Sequence, residues 1–297
     1  MNTKTDLQSH ETHTGMVLLI GDRAYKLKKA VRFGFCDFSN PAKRTVACQR
    51  EVALNRRLAP DVYLGVGRIS LPGQAFPEPV VVMRRMPEQA RLSTLVRDGR
   101  AGPEDVAHVA RAVAAFHERC HHGPAAAAAA TSDALAGRWA ANLTESQQFA
   151  GTVFDPADLA AIERDVMAFL AGREALFQAR IDADRIVDGH GDLLADDIFC
   201  LPDGPRILDC LEFDEKLRFV DRIDDIAFLA MDLERLGAPK LAEGLIDSYR
   251  EFSGDTAPAG LLHHYMAYRA FVRAKVACRA TPRATPRPGA RPGPWPD

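Results

Sequence analysis

His190-Gly191-Asp192-Leu193-Leu194-Ala195-Asp196-Asp197-Ile198, followed by a hairpin that ends in Ile207-Leu208-Asp209, sets three carboxylates in an order that phosphoryl transfer uses. That chemistry asks little covalent work of a protein, which must orient a hydroxyl, hold metal ions and neutralise charge on the transferring group. Asp192 lies on a Gly-containing loop after the strand-like Arg185-Ile186-Val187-Asp188 and takes the role of base toward an acceptor hydroxyl. Asp209 ends the apolar run Arg206-Ile207-Leu208, where a carboxylate is a hard oxygen ligand suited to Mg2+, and Asp197 completes the metal site. His190 is expected to orient the loop by hydrogen bonding rather than to move protons. One aspartate near a turn reads equally well as a cap; the joint spacing of three is what points to chemistry.

Working outward from this stretch, the phosphates of a nucleotide need a cation, and Tyr25-Lys26-Leu27-Lys28 puts two lysines on one face of a strand. Lys26 is favoured, because Ala24 two residues earlier leaves room on the same face, as in V-A-I-K; Lys28 is the alternative. Glu51 shares the apolar face of a helix with Ala47, Leu54 and Leu58, and a carboxylate there needs a partner. An ion pair with Lys26 is expected, with Arg50 or Asn55 as the other possible partners. Thr12-His13-Thr14-Gly15 offers hydroxyls and backbone donors where a phosphate-covering loop, including Thr14, would lie. The chain contains neither GxxxxGK[ST] nor GxGxxG, which argues against P-loop and Rossmann folds.

From Asp209 to Glu234 acidic residues outnumber basic ones, so a locally negative surface that favours a cationic or polyhydroxyl acceptor is expected beside the metals. Glu212 and Asp214 are the candidate acceptor-binding residues. Asp221 and Asp225 are expected to brace the catalytic loop through its backbone donors, and Asp232 and Glu234 to lie on an exposed helix face.

A chain of 297 residues, 47% hydrophobic, can bury a large core, and a net charge of −2 gives no basic field for a nucleic-acid backbone. The six cysteines, Cys36, Cys48, Cys120, Cys200, Cys210 and Cys278, form no CxxC pair, so neither a zinc site nor a disulfide framework is expected. No apolar signal core opens the sequence and no uncharged run has membrane-spanning length. A cytoplasmic protein with no nucleic-acid or membrane partner is expected.

Met16 to Ile20 and Arg23 to Lys28 flank the turn Gly21-Asp22 and predict an antiparallel pair. Ser39-Asn40-Pro41 starts a helix to Leu58, and strands follow at Val62 to Ile69 and Val80 to Met83. Beyond a change of character near residues 87 to 92, helical patterns run from Pro103 to Cys120, Pro156 to Ala179 with Asp155 as cap, Arg222 to Leu236, Lys240 to Phe252 and Leu261 to Arg279. The predicted organisation is α+β in two lobes: a β-rich N-lobe over residues 1–88, a mainly helical C-lobe over 89–280, and a disordered Pro/Arg-rich tail over 281–297.

HGDL at 190–193, Asp197, Ile207-Leu208-Asp209 and Asp224-Asp225-Ile226-Ala227 together resemble the aminoglycoside phosphotransferase-like (choline kinase-like) family of small-molecule kinases. Arg23 to Lys29, Leu54 to Gly65 and Tyr268 to Lys275 look like a bacterial, uncharacterised branch of it. Some members of that branch resemble fusions with a C-terminal P-loop kinase domain, and this sequence is expected to be a single catalytic unit. The resemblance implies a protein-kinase-like fold, ATP between the lobes with adenine against the linker near Met83 to Met86, Mg2+ at Asp197 and Asp209, and Asp192 as base. It implies transfer of the γ-phosphate to a hydroxyl of a small metabolite or aminoglycoside-like acceptor; a catalytically weak, nucleotide-binding regulatory module is the alternative. In two places the chain departs from the family pattern: Leu194 replaces the usual histidine after HGDL, and Asp197 replaces the usual metal-binding asparagine.

Overall fold

The computed structural model describes residues 7–11, 14–33, 36–70 and 77–280. Strands β1 (Leu7–Glu11), β2 (Gly15–Ile20) and β3 (Arg23–Lys28) are followed by the short β4 (Arg32–Phe33) and β5 (Cys36–Asp37), helix α1 (Pro41–Asn55), and strands β6 (Tyr63–Ile69) and β7 (Glu78–Arg84). The five longer strands make one antiparallel sheet in the order β1-β2-β3-β7-β6. The turn at Gly21-Asp22 forms as the sequence predicts, and Lys29 N–H closes the open end of the β2–β3 hairpin onto the Thr14 carbonyl at 2.8 Å. Thr12 and His13, named with Thr14 as a phosphate-covering loop, lie outside the described residues.

Helix α1 begins where Asn40 Oδ1 accepts the Lys43 N–H at 2.9 Å, with Pro41 in the first turn, where a missing N–H costs nothing. Arg44 ties it to β7 through Glu78, at 2.6 and 2.8 Å. Cys48 and Val52 of α1 and Val62, Tyr63 and Val81 of the sheet share a core with Phe199 and Leu208 of the second half, and Met83 and Met86 pack on its edge. Burial of this shared cluster fixes the sheet against the hairpin that carries Asp209.

The second half is mainly helical: α2 (Leu92–Arg97), α3 (Pro103–Arg119), α4 (Pro124–Ala128), α5 (Ser132–Ser146), α6 (Pro156–Leu170), α7 (Glu174–Asp182), α8 (Arg222–Arg235), α9 (Pro239–Ser253) and α10 (Ala259–Ala280). Strands β8 (Ile186–Asp188) and β11 (Phe219–Asp221) pair with one another, as do β9 (Ile198–Leu201) and β10 (Gly204–Ile207). The architecture is α+β in two lobes, as expected. The single helix predicted over Pro156 to Ala179 is two helices, because Ala171 turns extended and ends α6. Helix α5, which puts Trp139 into the core, and α2 carry no sequence prediction.

Helix α8 is buried from Arg222 to Leu233, which makes it the central helix of this half. Tyr265 and Tyr268 of α10 are core residues. All six cysteines are free thiols. Among the described residues no helix is long and apolar enough to cross a membrane.

Candidate active site

The period of two along β3 aims Lys26 and Lys28 at the same side of the sheet, toward α1. Lys26 Nζ lies 2.5 Å from Asp209 Oδ1 and 2.9 Å from Glu51 Oε1; Lys28 Nζ lies 2.7 Å from Glu51 Oε2 and also pairs with Glu212. The result is a chain of alternating charges, Asp209, Lys26, Glu51, Lys28 and Glu212. Glu51 is fully buried, so it holds its charge only because two ammonium groups flank it. Burial works against that charge, but Lys26 and Lys28 outweigh it and keep its carboxyl below the usual range. Burial likewise opposes the charge of Lys26, yet Asp209 and Glu51 raise its pKa well above that of a free lysine. The expected Lys26–Glu51 pair is present; Lys28, the alternative, holds the other oxygen of the same carboxylate.

The catalytic loop hangs from α8. Asp225 Oδ2 accepts the His190 N–H at 2.6 Å and Oδ1 the Gly191 N–H at 2.9 Å, while His117 Nε2 lies 3.1 Å from the same carboxylate. Two turns further along α8, Asp232 Oδ2 accepts the Ala195 N–H at 3.0 Å. Approach here is so close that a Cβ on Gly189 would stand 2.5 Å from Asp225 Oδ2. Gly191 adopts φ +84, and a Cβ there would meet the Leu217 carbonyl oxygen at 2.9 Å. His190 Nε2 lies 3.0 Å from the Leu208 carbonyl, and the Asp192 N–H points to His190 Nδ1 at 3.4 Å. Nε2 is thus the donor and Nδ1 the acceptor, the neutral tautomer, in keeping with a pKa that burial lowers. His190 ties the loop to the strand that leads into Asp209, the orienting role expected of it.

Asp209 itself sits at φ +64, a left-handed conformation that Asp tolerates better than most residues, with its N–H toward Tyr63 Oη at 3.2 Å. Burial opposes its ionisation, but Lys26 holds its pKa low. Its side chain is still 46% accessible. Asp192 behaves in the opposite way: burial first, and then the negative charge of Asp209 against the opposing pull of Arg273, push its carboxyl up to about 6. Asp197 is also pushed up, by burial and then by Asp209 and Asp192. The charges of the three carboxylates thus act on one another. Among the described residues no group of three or more carboxylate, imidazole or thiol side chains is gathered tightly enough to cage an ion. Two carboxylates with the remaining coordination open are what Mg2+ accepts beside phosphate oxygens and water, and a cation there would relieve the repulsion that raises Asp197.

Several expectations for the acceptor side are corrected. Glu212 is buried as the counter-ion of Lys28 rather than presented to an acceptor. Asp214 Oδ1 caps a turn by accepting the Lys216 N–H at 2.9 Å. Asp221 does not brace the catalytic loop: it caps α8 and binds Arg180 through two hydrogen bonds, at 2.8 and 2.6 Å. Asp232 is buried, whereas Glu234 is exposed as expected. Glu212, Asp221, Asp224, Asp225 and Asp232 of the acidic run are thus interior, paired groups rather than a solvated face.

Sequence reasoning assigned no role to Arg57 or Tyr63 and named Asn55 only as a possible partner of Glu51; all three join the two halves. Asn55 Oδ1 accepts the Cys210 N–H at 2.9 Å, and Arg57 donates to the carbonyls of Asp188 and Gly189 at 2.8 and 2.9 Å. All three lie in the stretch Leu54 to Gly65 that carries part of the resemblance, which was the available signal. Met83 and Met86 pack against the core cluster that the two halves share.

No family model matches the chain. It is 48% identical over 266 residues to an uncharacterized protein of Mycobacterium tuberculosis and to one of Mycobacterium bovis, matches that take in 90% of this chain and 53% of each relative. The chain thus spans about half the length of the curated relatives it matches. Among solved structures it is similar to an aminoglycoside 2'-phosphotransferase in complex with GDP, with a TM-score of 0.53 and 13% identity over 93% of this chain and 86% of that one. It is also similar to a choline/ethanolamine kinase family protein from Mesorhizobium loti, with a TM-score of 0.51 and 15% identity over 94% and 87%. A related aminoglycoside phosphotransferase bound to GDP and kanamycin gives a TM-score of 0.51 at 15% identity over 93% and 87%. The chain has the fold of the aminoglycoside phosphotransferase-like small-molecule kinases.

Proposed function

We propose that the protein is an ATP-dependent phosphotransferase that moves the γ-phosphate to a hydroxyl group of a small molecule. The observation that carries this reading is the meeting of Lys26 from the sheet with Asp209 from beyond the β9–β10 hairpin, backed by the buried Glu51. Lys26 would bind the nucleotide phosphates, with adenine beside Met83 and Met86. Asp197 and Asp209 would hold Mg2+, which supplies charge neutralisation on the phosphates. Asp192 accepts the proton of the acceptor hydroxyl as its oxygen bonds to the γ-phosphorus; the bond to the bridging oxygen breaks and ADP leaves. A carboxyl with a pKa of about 6 suits this work, since it is largely ionised near pH 7 yet remains a useful base. The relatives of this fold solved with GDP support nucleotide binding.

A catalytically weak, nucleotide-binding regulatory module is the second reading, favoured by one observation. Asp197 is a carboxyl whose ionisation burial, Asp209 and Asp192 already oppose, where ATP would bring several more negative charges. Incubation of the purified protein with ATP, Mg2+ and a panel of sugars, hydroxy acids, amino alcohols and aminoglycosides separates the two readings. A phosphorylated product detected by mass supports the phosphotransferase; tight ATP binding with no product and no ADP release supports the module.

A further inference from the structure

The buried carboxylates of the run from Glu212 to Asp232 are already engaged. Glu212 pairs with Lys28, Asp221 with Arg180, Asp224 with Arg269, Asp225 with two loop N–H groups, and Asp232 with the Ala195 N–H and Arg235. The charge that acts most strongly on Asp192 is instead that of a guanidinium on helix α10. Helix α10 lays one side along the catalytic loop: Met266 packs beside Leu194, and Arg269, three residues on, donates to the Gly191 carbonyl at 3.0 Å while gripping Asp224 at 2.7 and 2.8 Å. Arg273 follows Arg269 by one turn on the same side and is the strongest charged neighbour acting on Asp192. Arg269 is consumed by its bonds. Arg273 is half-buried and, among the described residues, has no carboxylate within ion-pair distance.

An unpaired guanidinium one turn beyond the arginine that anchors its helix to the loop is a ready partner for a planar or tetrahedral anion, which it can bind through two parallel hydrogen bonds. The same charge repels an ammonium group. We propose that Arg273 is an acceptor-binding residue and that the acceptor hydroxyl belongs to a molecule with an anionic group, a carboxylate or a phosphate ester, rather than to an aminoglycoside or amino alcohol. The inference rests on the phosphotransfer reading and adds the charge class of the acceptor to it.

Four small alcohols that differ mainly in charge test it: glycerate, glycerol 3-phosphate, glycerol and 3-amino-1,2-propanediol. Each is titrated at fixed MgATP against the parent, Arg273→Ala, Arg273→Lys and Arg273→Glu, reading ADP release, product mass and the thermal midpoint of the nucleotide-bound protein. At least one anionic alcohol should act at concentrations tenfold or more below the neutral and cationic ones, consistent with the worth of one charge-assisted contact. Comparison of the carboxylate with the phosphate ester identifies the anion. Arg273→Ala should erase that preference, Arg273→Lys retain part of it, and Arg273→Glu turn it toward the ammonium; loss of packing alone would not reverse its sign. A preference of the parent for glycerol or the amine, an anionic preference untouched in Arg273→Ala, or no response to either anionic alcohol with nucleotide bound would overturn the inference. Loss of both nucleotide binding and ATP turnover in the parent overturns the phosphotransfer reading itself, and this inference with it.

Discussion

The Lys26 ammonium lies 2.5 Å from Asp209 Oδ1, although 183 residues separate them in the chain. That contact joins the sheet of the first half to the loop of the second. Glu51 holds Lys26 from the other side and is itself held by Lys28. The site is thus assembled by charge pairing across the junction, in an interior where an unpaired member costs far more than a paired one contributes.

Lys26 and Lys28 should separate when replaced. Lys26→Met is expected to weaken MgATP binding tenfold or more, measured by calorimetry, because it removes the ammonium that remains partly accessible, at 20%. Lys28→Met strips a buried partner from both Glu51 and Glu212, and should cost about 3 kcal/mol in unfolding free energy by urea titration.

Asp192 should trade stability for activity. Its pKa is about 6 in the folded chain against roughly 3.9 unfolded, so its ionised form opposes folding above pH 6. The opposition fades as pH falls from 6 toward 4 and is absent below both values. Asp192→Asn should therefore raise the thermal midpoint at pH 7.5 by about 2 °C or more, with no gain at pH 3.5. The base must be ionised, so kcat/KM of the parent should fall as pH drops below about 6.

Asp225 should behave in the reverse sense. Burial opposes its charge, but His117 and the loop N–H groups hold its carboxyl well below the unfolded value. Its contribution is complete above roughly pH 4 and is lost as pH falls further. Asp225→Ala leaves those buried donors without an acceptor and should cost about 3 kcal/mol at pH 7 by denaturant titration, with the cost shrinking progressively as pH is lowered below 4.

Asp197 tests the metal assignment. Asp197→Asn keeps an oxygen ligand and removes the repulsion from Asp209 and Asp192, so turnover should equal or exceed that of the parent at saturating Mg2+. Asp197→Ala should abolish the additional thermal stabilisation that Mg2+ gives to the ADP-bound protein. Unchanged Mg2+ dependence in Asp197→Ala would remove this residue from the site.

The β2–β3 hairpin, the capped start of α1 and the order of Asp192, Asp197 and Asp209 were legible because each depends on local spacing or turn chemistry. The Lys26–Glu51 pair was also within reach, since a carboxylate on an apolar helix face demands a buried cation. The fate of the acidic run was not. Asp221, Asp224 and Asp232 carry no local mark that distinguishes a solvated helix face from a buried one, and Arg180 and Arg269, which neutralise the first two, lie about 40 or more residues away. Helix α5 escaped notice because an alanine-rich approach blurs its pattern, although Trp139 anchors it in the core. Asn55, Arg57 and Tyr63 act through backbone groups of distant segments, contacts that leave no periodicity to read.

The most direct test compares the rate of γ-phosphate loss from MgATP in the parent and in Asp192→Asn at pH 7.5, with both proteins saturated with nucleotide and the best acceptor of the panel present. Turnover in the parent and a loss of a hundredfold or more in the variant, at similar nucleotide affinity, is the result a phosphotransferase with Asp192 as its base must give. Equal rates in the two proteins would contradict it.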